Sequence, residues 1–233
     1  MKLKHLQLNK LIQSGLYLGD PINTLNPSIN KQNIFGIRKN NYVINLNHTL
    51  KMINKLIQII LYMKKNNGNI LFIGSKNDVY NIIEQTAIRL NQFYANLNWI
   101  GGFLTNKDQI NKAFKVKFDL IIIFDINQST FPINEAIKLN LPIIGIGNTS
   151  NNITKITYPI LTNEKSTESI NFYCKLIENI MKDNNKNINQ FNLLNNLIEN
   201  YKKYIDPSIK YKKHMIHLKK YKSFIFIKKK YTY

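Results

Sequence analysis

The sequence predicts an α/β protein whose parallel sheet is covered by helices on both sides. Three observations carry this. Short, uniformly apolar runs recur through the middle of the chain, the segments between them have helical apolar spacing, and the two patterns alternate.

The first helix is expected over 48–65, where Leu50, Ile53, Ile57, Ile60 and Leu61 fall on one face. Asn67-Gly68 ends it, and Ile70-Leu71-Phe72-Ile73-Gly74 follows as a strand buried on both faces. After Lys76, a second helix buries Val79, Ile82, Ile83, Thr86 and Leu90. Leu120-Ile121-Ile122-Ile123-Phe124, ending at Asp125, is the next strand. A short helix over 130–140 follows, with Ile133, Ala136 and Ile137 inward. Pro142 to Gly147 is a strand with proline at its entrance, where the missing N–H is tolerated. The last core helix covers 166–181 and buries Ile170, Cys174, Ile177 and Met181. Beyond Asp183 a further helix fits 187–203, with Phe191, Leu194 and Ile198 inward. Residues 206–233 are Lys-rich with Tyr and Phe between, as in an extension that orders on its partner.

The charge balance points to a polyanionic partner. The 233 residues hold 33 Lys and Arg against 13 Asp and Glu, a formal net charge of +20. Self-repulsion on this scale disfavours a compact free chain, and nucleic acid is the commonest partner that relieves it. The excess is uneven: residues 201–233 carry eleven Lys and one acid, Asp206. Arg38 and Arg89 are the only arginines, whereas Asn, Lys, Ile and Tyr abound. These abundant residues have A/T-rich codons, so the skew reads as genome drift rather than as a prion-like tract.

The composition argues against several function classes. Cys174 is alone, which leaves no disulfide framework and no cysteine zinc site. No apolar run approaches the roughly 18 residues of a membrane span. Gly74-Ser75-Lys76 lacks the phosphate-loop spacing. Gly145-Ile146-Gly147 lacks a third glycine and a following helix start, so a tight strand exit is the simpler reading. His214 and His217 have no nearby carboxylate or cysteine to complete a metal site. Asp125 stands alone at a strand end and reads as a turn or cap residue, and Cys174 reads as core. No cofactor is expected. The segment Trp99-Ile100-Gly101-Gly102-Phe103-Leu104-Thr105-Asn106 is different: it holds the only Trp and a glycine pair that permits close backbone approach.

That octet resembles the Trp-Leu-Gly-Gly-Met-Leu-Thr-Asn segment of the S-two family of small-subunit ribosomal proteins, and an ordered set of further motifs supports the likeness. Leu11 to Gly19 is similar to the family's opening helix and Gly-x-x-x-Gly. Asn26-Pro27 and Ile34-Phe35-Gly36-Ile37-Arg38 resemble its Asn-Pro and Ile-Phe-Gly-x-Arg. Ile44-Asn45-Leu46 with Thr49 looks like the next strand and helix start. Gly68 to Lys76 is similar to Gly-Lys-Ile-Leu-Phe-Val-Gly-Thr-Lys. Asn134-Glu135-Ala136 through Leu141-Pro142-Ile143, then Asn148-Thr149, resemble the later runs. The order holds over residues 8–182.

The resemblance implies a flavodoxin-like doubly wound sheet and a structural role in the ribosome without catalysis. It implies binding to small-subunit rRNA and neighbouring ribosomal proteins, between head and body near the mRNA exit, as a single copy and away from membranes. The expected division is an N-terminal helix and RNA-facing loop over 1–40, a parallel core over 41–182 and a basic extension over 183–233. The expected phosphate contacts are Lys31, Arg38, Lys39 and Lys76, and in the tail Lys210, Lys212, Lys213, Lys219, Lys220, Lys228, Lys229 and Lys230. The chain departs from the family in three places. About a dozen residues join Asn106 to Asp119, where family members insert a helical hairpin. The family's Gly-His is Gly19-Asp20, and its Arg before Trp is Asn98. The A/T-rich composition, with family motifs starting by Leu8, favours a protein made inside an organelle, the mitochondrion first and the plastid second. The rival readings are a nucleotide-binding doubly wound enzyme and a free RNA chaperone.

Overall fold

The computed structural model describes residues 15–74, 77–95, 99–106 and 116–182. The opening helix before Gly15, Lys76, Asn98, the helix over 187–203 and the basic extension lie outside the described residues.

Two sheets organise the chain. The smaller is antiparallel, built from β1 (Leu18–Pro21), β2 (Ile34–Arg38) and β3 (Asn41–Ile44) in the order β1-β3-β2. The larger contains β4 (Ile70–Ile73), β5 (Phe93–Ala95), β6 (Leu120–Ile123), β7 (Ile143–Gly147) and β8 (Tyr158–Leu161). Its order is β5-β4-β6-β7-β8 and every pairing is parallel. This is the 2-1-3-4-5 strand order of the flavodoxin-like class.

Among the described residues four helices cover the large sheet: α1 (Leu46–Lys65), α2 (Asn77–Arg89), α3 (Thr130–Lys138) and α4 (Thr167–Lys182). Helices α1, α2 and α4 share one core with Ile70, Phe72, Leu120, Ile122, Ile144 and Ile146. The alternate residues Leu71, Ile73, Ile121, Ile123 and Ile143 face a second core with Ile133 and Ala136 of α3 and Phe103 and Phe118. Neighbouring residues on each strand thus enter different cores. This is why the runs show no polar alternation.

Helix termination explains part of the asparagine excess. Asn67, Asn91 and Asn140 follow α1, α2 and α3 with φ of 50°, 52° and 53°. In each case the next N–H reaches back to a helix carbonyl: Gly68 to Met63 at 2.9 Å, Gln92 to Ala87 at 2.9 Å and Leu141 to Ala136 at 3.0 Å. Asparagine fills the left-handed position that glycine usually takes.

The structure corrects several expectations. Residues 18–21 and 34–38, for which no strand is expected from the sequence, form β1 and β2. Both strands are short, and the Lys39-Asn40 turn that joins β2 to β3 lacks the glycine of a strong hairpin signal. β5 has three residues, and β8 contains Pro159, which its edge position accommodates. Ile137, expected inward, is exposed, whereas its neighbour Glu135 is buried. Glu135 lies on the covered side of α3 with Ile133 and Ala136, where its carboxylate has partners.

Candidate nucleic-acid interface

The hairpin tip is the first cluster of expected phosphate contacts. Arg38 pairs with Asn41, so Lys39 and Asn40 alone form the turn, with φ of 46° and 65°. Two left-handed residues match the twist of the flanking strands. They leave Arg38 and Lys39 exposed at the tip. Beside them, Phe35 and Ile37 are 78% and 58% exposed. The apex thus combines two cations with an aromatic and an aliphatic side chain, a composition suited to phosphate contact and stacking.

Lys31, also exposed, sits on a 3-10 turn over Lys31–Asn33. Asn45 fixes that turn to α1. Its side-chain amide donates to the Gln32 carbonyl at 3.0 Å, and its N–H donates to the Asn33 carbonyl at 2.8 Å. Its side-chain oxygen accepts from the Asn47 N–H at 3.2 Å, capping the helix. Asn26 braces the preceding loop. Its side chain accepts from the Ser28 N–H at 3.0 Å across the exposed Pro27, and its own N–H donates to the Thr149 carbonyl at 3.0 Å.

Asp20 joins the two sheets. It is buried, receives Lys165 Nζ at 2.6 Å and Ser150 Oγ at 2.5 Å, and donates its N–H to Thr149 Oγ1 at 2.9 Å. A carboxylate in place of the family's histidine is therefore fully used as a structural acceptor. Gly19 beside it admits no side chain, since a Cβ would lie 2.8 Å from the Tyr42 carbonyl oxygen.

The Trp99 segment packs over the second core around one carboxylate. Glu135 Oε1 accepts from Trp99 Nε1 at 3.0 Å and from the Gly102 N–H at 2.8 Å, and Oε2 accepts from the Leu104 N–H at 2.8 Å. Trp99 meets Phe103 edge-on with centroids 5.2 Å apart. The Asn106 N–H closes the turn onto the Gly102 carbonyl at 2.7 Å, with Thr105 half-buried before it. The motif glycines differ in their need. Gly102 has φ of +84°, and Gly74 lies against Ile83 of α2. Gly36 and Gly101 have open space around them, and a Cβ on Gly102 would make only ordinary contact with Asn106, so the pair's close approach is not seen and the need at Gly102 is its backbone angle.

Glu135 is the residue that sequence reasoning missed. The available signal was an acid next to Ala136 on the apolar face of a short helix.

The groups weighed for chemistry are structural. Asp125 is buried, and its Oδ1 accepts from the Gln128 N–H at 3.3 Å as a turn residue. A Cβ on Gly145 or Gly147 would run into Ile156 or Ile126, so these glycines serve packing. Cys174 is fully buried, and burial pushes its thiol up to about 12. A cavity of about 220 Å³ near the carboxyl ends of β6 and β7 is lined by Asn127, Asn134, Asn152 and Lys155, without acid, His or Cys. Among the described residues no three His, Cys, Asp or Glu are grouped to hold a metal ion, and no helix is long and apolar enough to cross a membrane. Of the expected cations, Arg38 and Lys39 sit together at the hairpin tip, whereas Lys31 lies before the other end of β2, beside the start of α1. Lys76 and the eight tail lysines lie outside the described residues.

The chain matches a family model described as ribosomal protein S2 over residues 11–118 and 114–184. It is 25% identical over 225 residues to the small ribosomal subunit protein uS2 of Gluconobacter oxydans, covering 78% of this chain and 84% of that relative. It is 27% identical over 219 residues to the proteins of the same name from Rickettsia rickettsii, covering 75% and 74%, and from Ehrlichia canis, covering 76% and 75%.

Proposed function

The chain belongs to the ribosomal protein S2 family, and from that premise we propose that it is a structural constituent of the small ribosomal subunit that docks on rRNA and neighbouring ribosomal proteins through its basic surfaces. The observation that carries this reading is the family match across both halves of the α/β core. The net charge of +20 supports an RNA partner. The role is scaffolding rather than catalysis, and neither a nucleotide-binding enzyme nor a free RNA chaperone finds support in the relatives.

In the finer reading, one copy sits between head and body near the mRNA exit. Arg38 and Lys39 at the hairpin tip, Lys31 in the turn before β2, Lys76 and the tail lysines serve as phosphate counter-charges. Residues 1–40 supply an N-terminal helix and RNA-facing loop, residues 41–182 the parallel core, and residues 183–233 a basic extension. The A/T-skewed composition supports an organellar ribosome; the short Asn106–Asp119 connection and the basic extension favour the mitochondrion, with the plastid as the second choice.

Co-sedimentation tests the role. The chain is expected to travel with small subunits at moderate salt, near one copy each. With about ten phosphate contacts, its affinity for rRNA falls about a thousandfold or more between 50 and 200 mM salt. A chain that never joins the subunit, or binds rRNA indifferently to salt, overturns the reading. Its presence in mitochondrial rather than plastid subunits decides the compartment.

A further inference from the structure

From Pro21 to Asn77 the chain carries eight Lys or Arg and not one Asp or Glu. This acid-free stretch contains the hairpin and the whole of α1. Helix α1 is amphipathic in the ordinary way on its inner side, where Ile53, Leu56, Ile57, Ile60 and Met63 are buried. Its outer side is unusual. The exposed residues Lys51, Asn54, Lys55, Gln58, Tyr62 and Lys65 follow helical spacing along one face. A solvated helix normally mixes both charge signs, and α4 does so, with Glu178 bonding Arg89 and Lys182. No carboxylate on α1 offsets its lysines, and Tyr62 is 66% exposed.

We propose that the outer face of α1 is an RNA-binding surface that receives the sugar-phosphate backbone of an rRNA helix. The inference rests on the ribosomal reading above and assigns to that partner a surface additional to the hairpin tip and the tail.

Three arguments select RNA as the occupant. First, every polar side chain on this face can donate a hydrogen bond and none is anionic: ammonium from Lys51, Lys55 and Lys65, amide N–H from Asn54 and Gln58, and hydroxyl from Tyr62. Such a row suits phosphate oxygens and 2′-hydroxyls, which line the wide, shallow minor groove of A-form RNA. Second, the face is long. From Lys51 to Lys65 it spans about 21 Å at 1.5 Å per residue, and Asn45 ties its near end to the turn that bears Lys31. The turn bearing Lys31 thus adds a further exposed cation near the N-terminal end of the helix. Third, this chain's own extension does not complement it, because residues 201–233 carry eleven Lys and one acid. His48 agrees with the charge pattern: burial, with Lys51 and Lys55 close by, holds its imidazole below the ordinary range.

The experiment uses the full chain assembled into small subunits. Gln58→Cys places one reactive thiol in the middle of the face, since native Cys174 is buried. A photo-crosslinker on that thiol is expected to join rRNA. Adducts to protein alone, or none from a chain that does sediment with subunits, overturn the α1 assignment and leave the family role standing. A chain that does not join subunits overturns both. In parallel, the triple variant K51Q/K55Q/K65Q keeps helix-compatible side chains. It is expected to reduce the dependence of log affinity on log salt by about three, one per phosphate contact. An unchanged slope overturns the proposal even where folding is intact.

Discussion

The Glu135 carboxylate on α3 accepts the indole N–H of Trp99 at 3.0 Å, across a sequence separation of 36 residues. The same carboxylate holds the Gly102 and Leu104 N–H groups, so one side chain sets the path of the loop that follows β5. Removing it leaves three donors without a partner. Glu135→Ala is expected to cost about 3 kcal/mol, and Glu135→Gln, which keeps one acceptor oxygen, about 1–2 kcal/mol. Denaturant unfolding measures both. Trp99, the only Trp, reports the loop directly, and its emission is expected to shift to the red in the alanine variant before global unfolding.

The glycine pair separates backbone need from motif membership. Gly102 has φ of +84°, whereas a Cβ on Gly101 meets nothing within 4 Å. Gly102→Ala is expected to lose about 1–2 kcal/mol and Gly101→Ala to stay within about 0.5 kcal/mol of the parent. Equal losses at both positions would contradict the geometry.

At the hairpin tip, stability and binding are expected to move in opposite directions. Lys39 holds φ of 46°, a conformation glycine adopts at lower cost. Lys39→Gly is expected to raise stability by about 0.5 kcal/mol while removing one phosphate contact, lowering the salt slope of rRNA binding by about one. Thermal melting and a salt titration on the same preparation check both halves.

Asp20 and Lys165 differ in burial, and their variants are expected to differ accordingly. Side-chain exposure is 4% for Asp20 and 60% for Lys165. Lys165→Ala removes a partner that is mostly in water and is expected to cost about 1 kcal/mol or less. Asp20→Ala strips the acceptor from Ser150 and Lys165 together and is expected to cost about 2–3 kcal/mol. A larger loss at Lys165 than at Asp20 would show that the pair owes its strength to something other than the buried acceptor.

Alkaline pH is expected to weaken the fold through buried acids. Burial raises Cys174 from 9.0 to about 12, and burial with nearby Glu84 raises Tyr80 from 10.0 to about 12. The unfolded chain releases these protons first, so their contribution is complete below pH 9 and is lost as pH rises toward 12. Cys174→Ala is expected to remove the portion that begins near pH 9. The native thiol should also resist alkylation near pH 8.5, a condition under which the unfolded chain reacts. Mass spectrometry with and without denaturant reads this.

The sequence by itself determined the large sheet, its three central strands, the four helices around it and the family. The doubly buried runs at Ile70, Leu120 and Ile143 and the helical spacing between them are local signals, strong because each strand enters two cores at once. The cationic character was equally plain, since charge is a property of composition. Only the tertiary structure decided what depends on partners distant in the chain. It paired β1, β2 and β3, whose short strands and glycine-free turn carry little local signal. It placed β5 and β8 at the sheet edges by register with β4 and β7. It turned Ile137 outward and Glu135 inward, because three donors from a loop more than thirty residues away make a buried carboxylate favourable there. It also showed that Lys51, Lys55 and Lys65 of α1 face solvent, with no acid on that helix. Spacing suggests such a face, and only packing against α4 and β8 decides which side of the helix is covered.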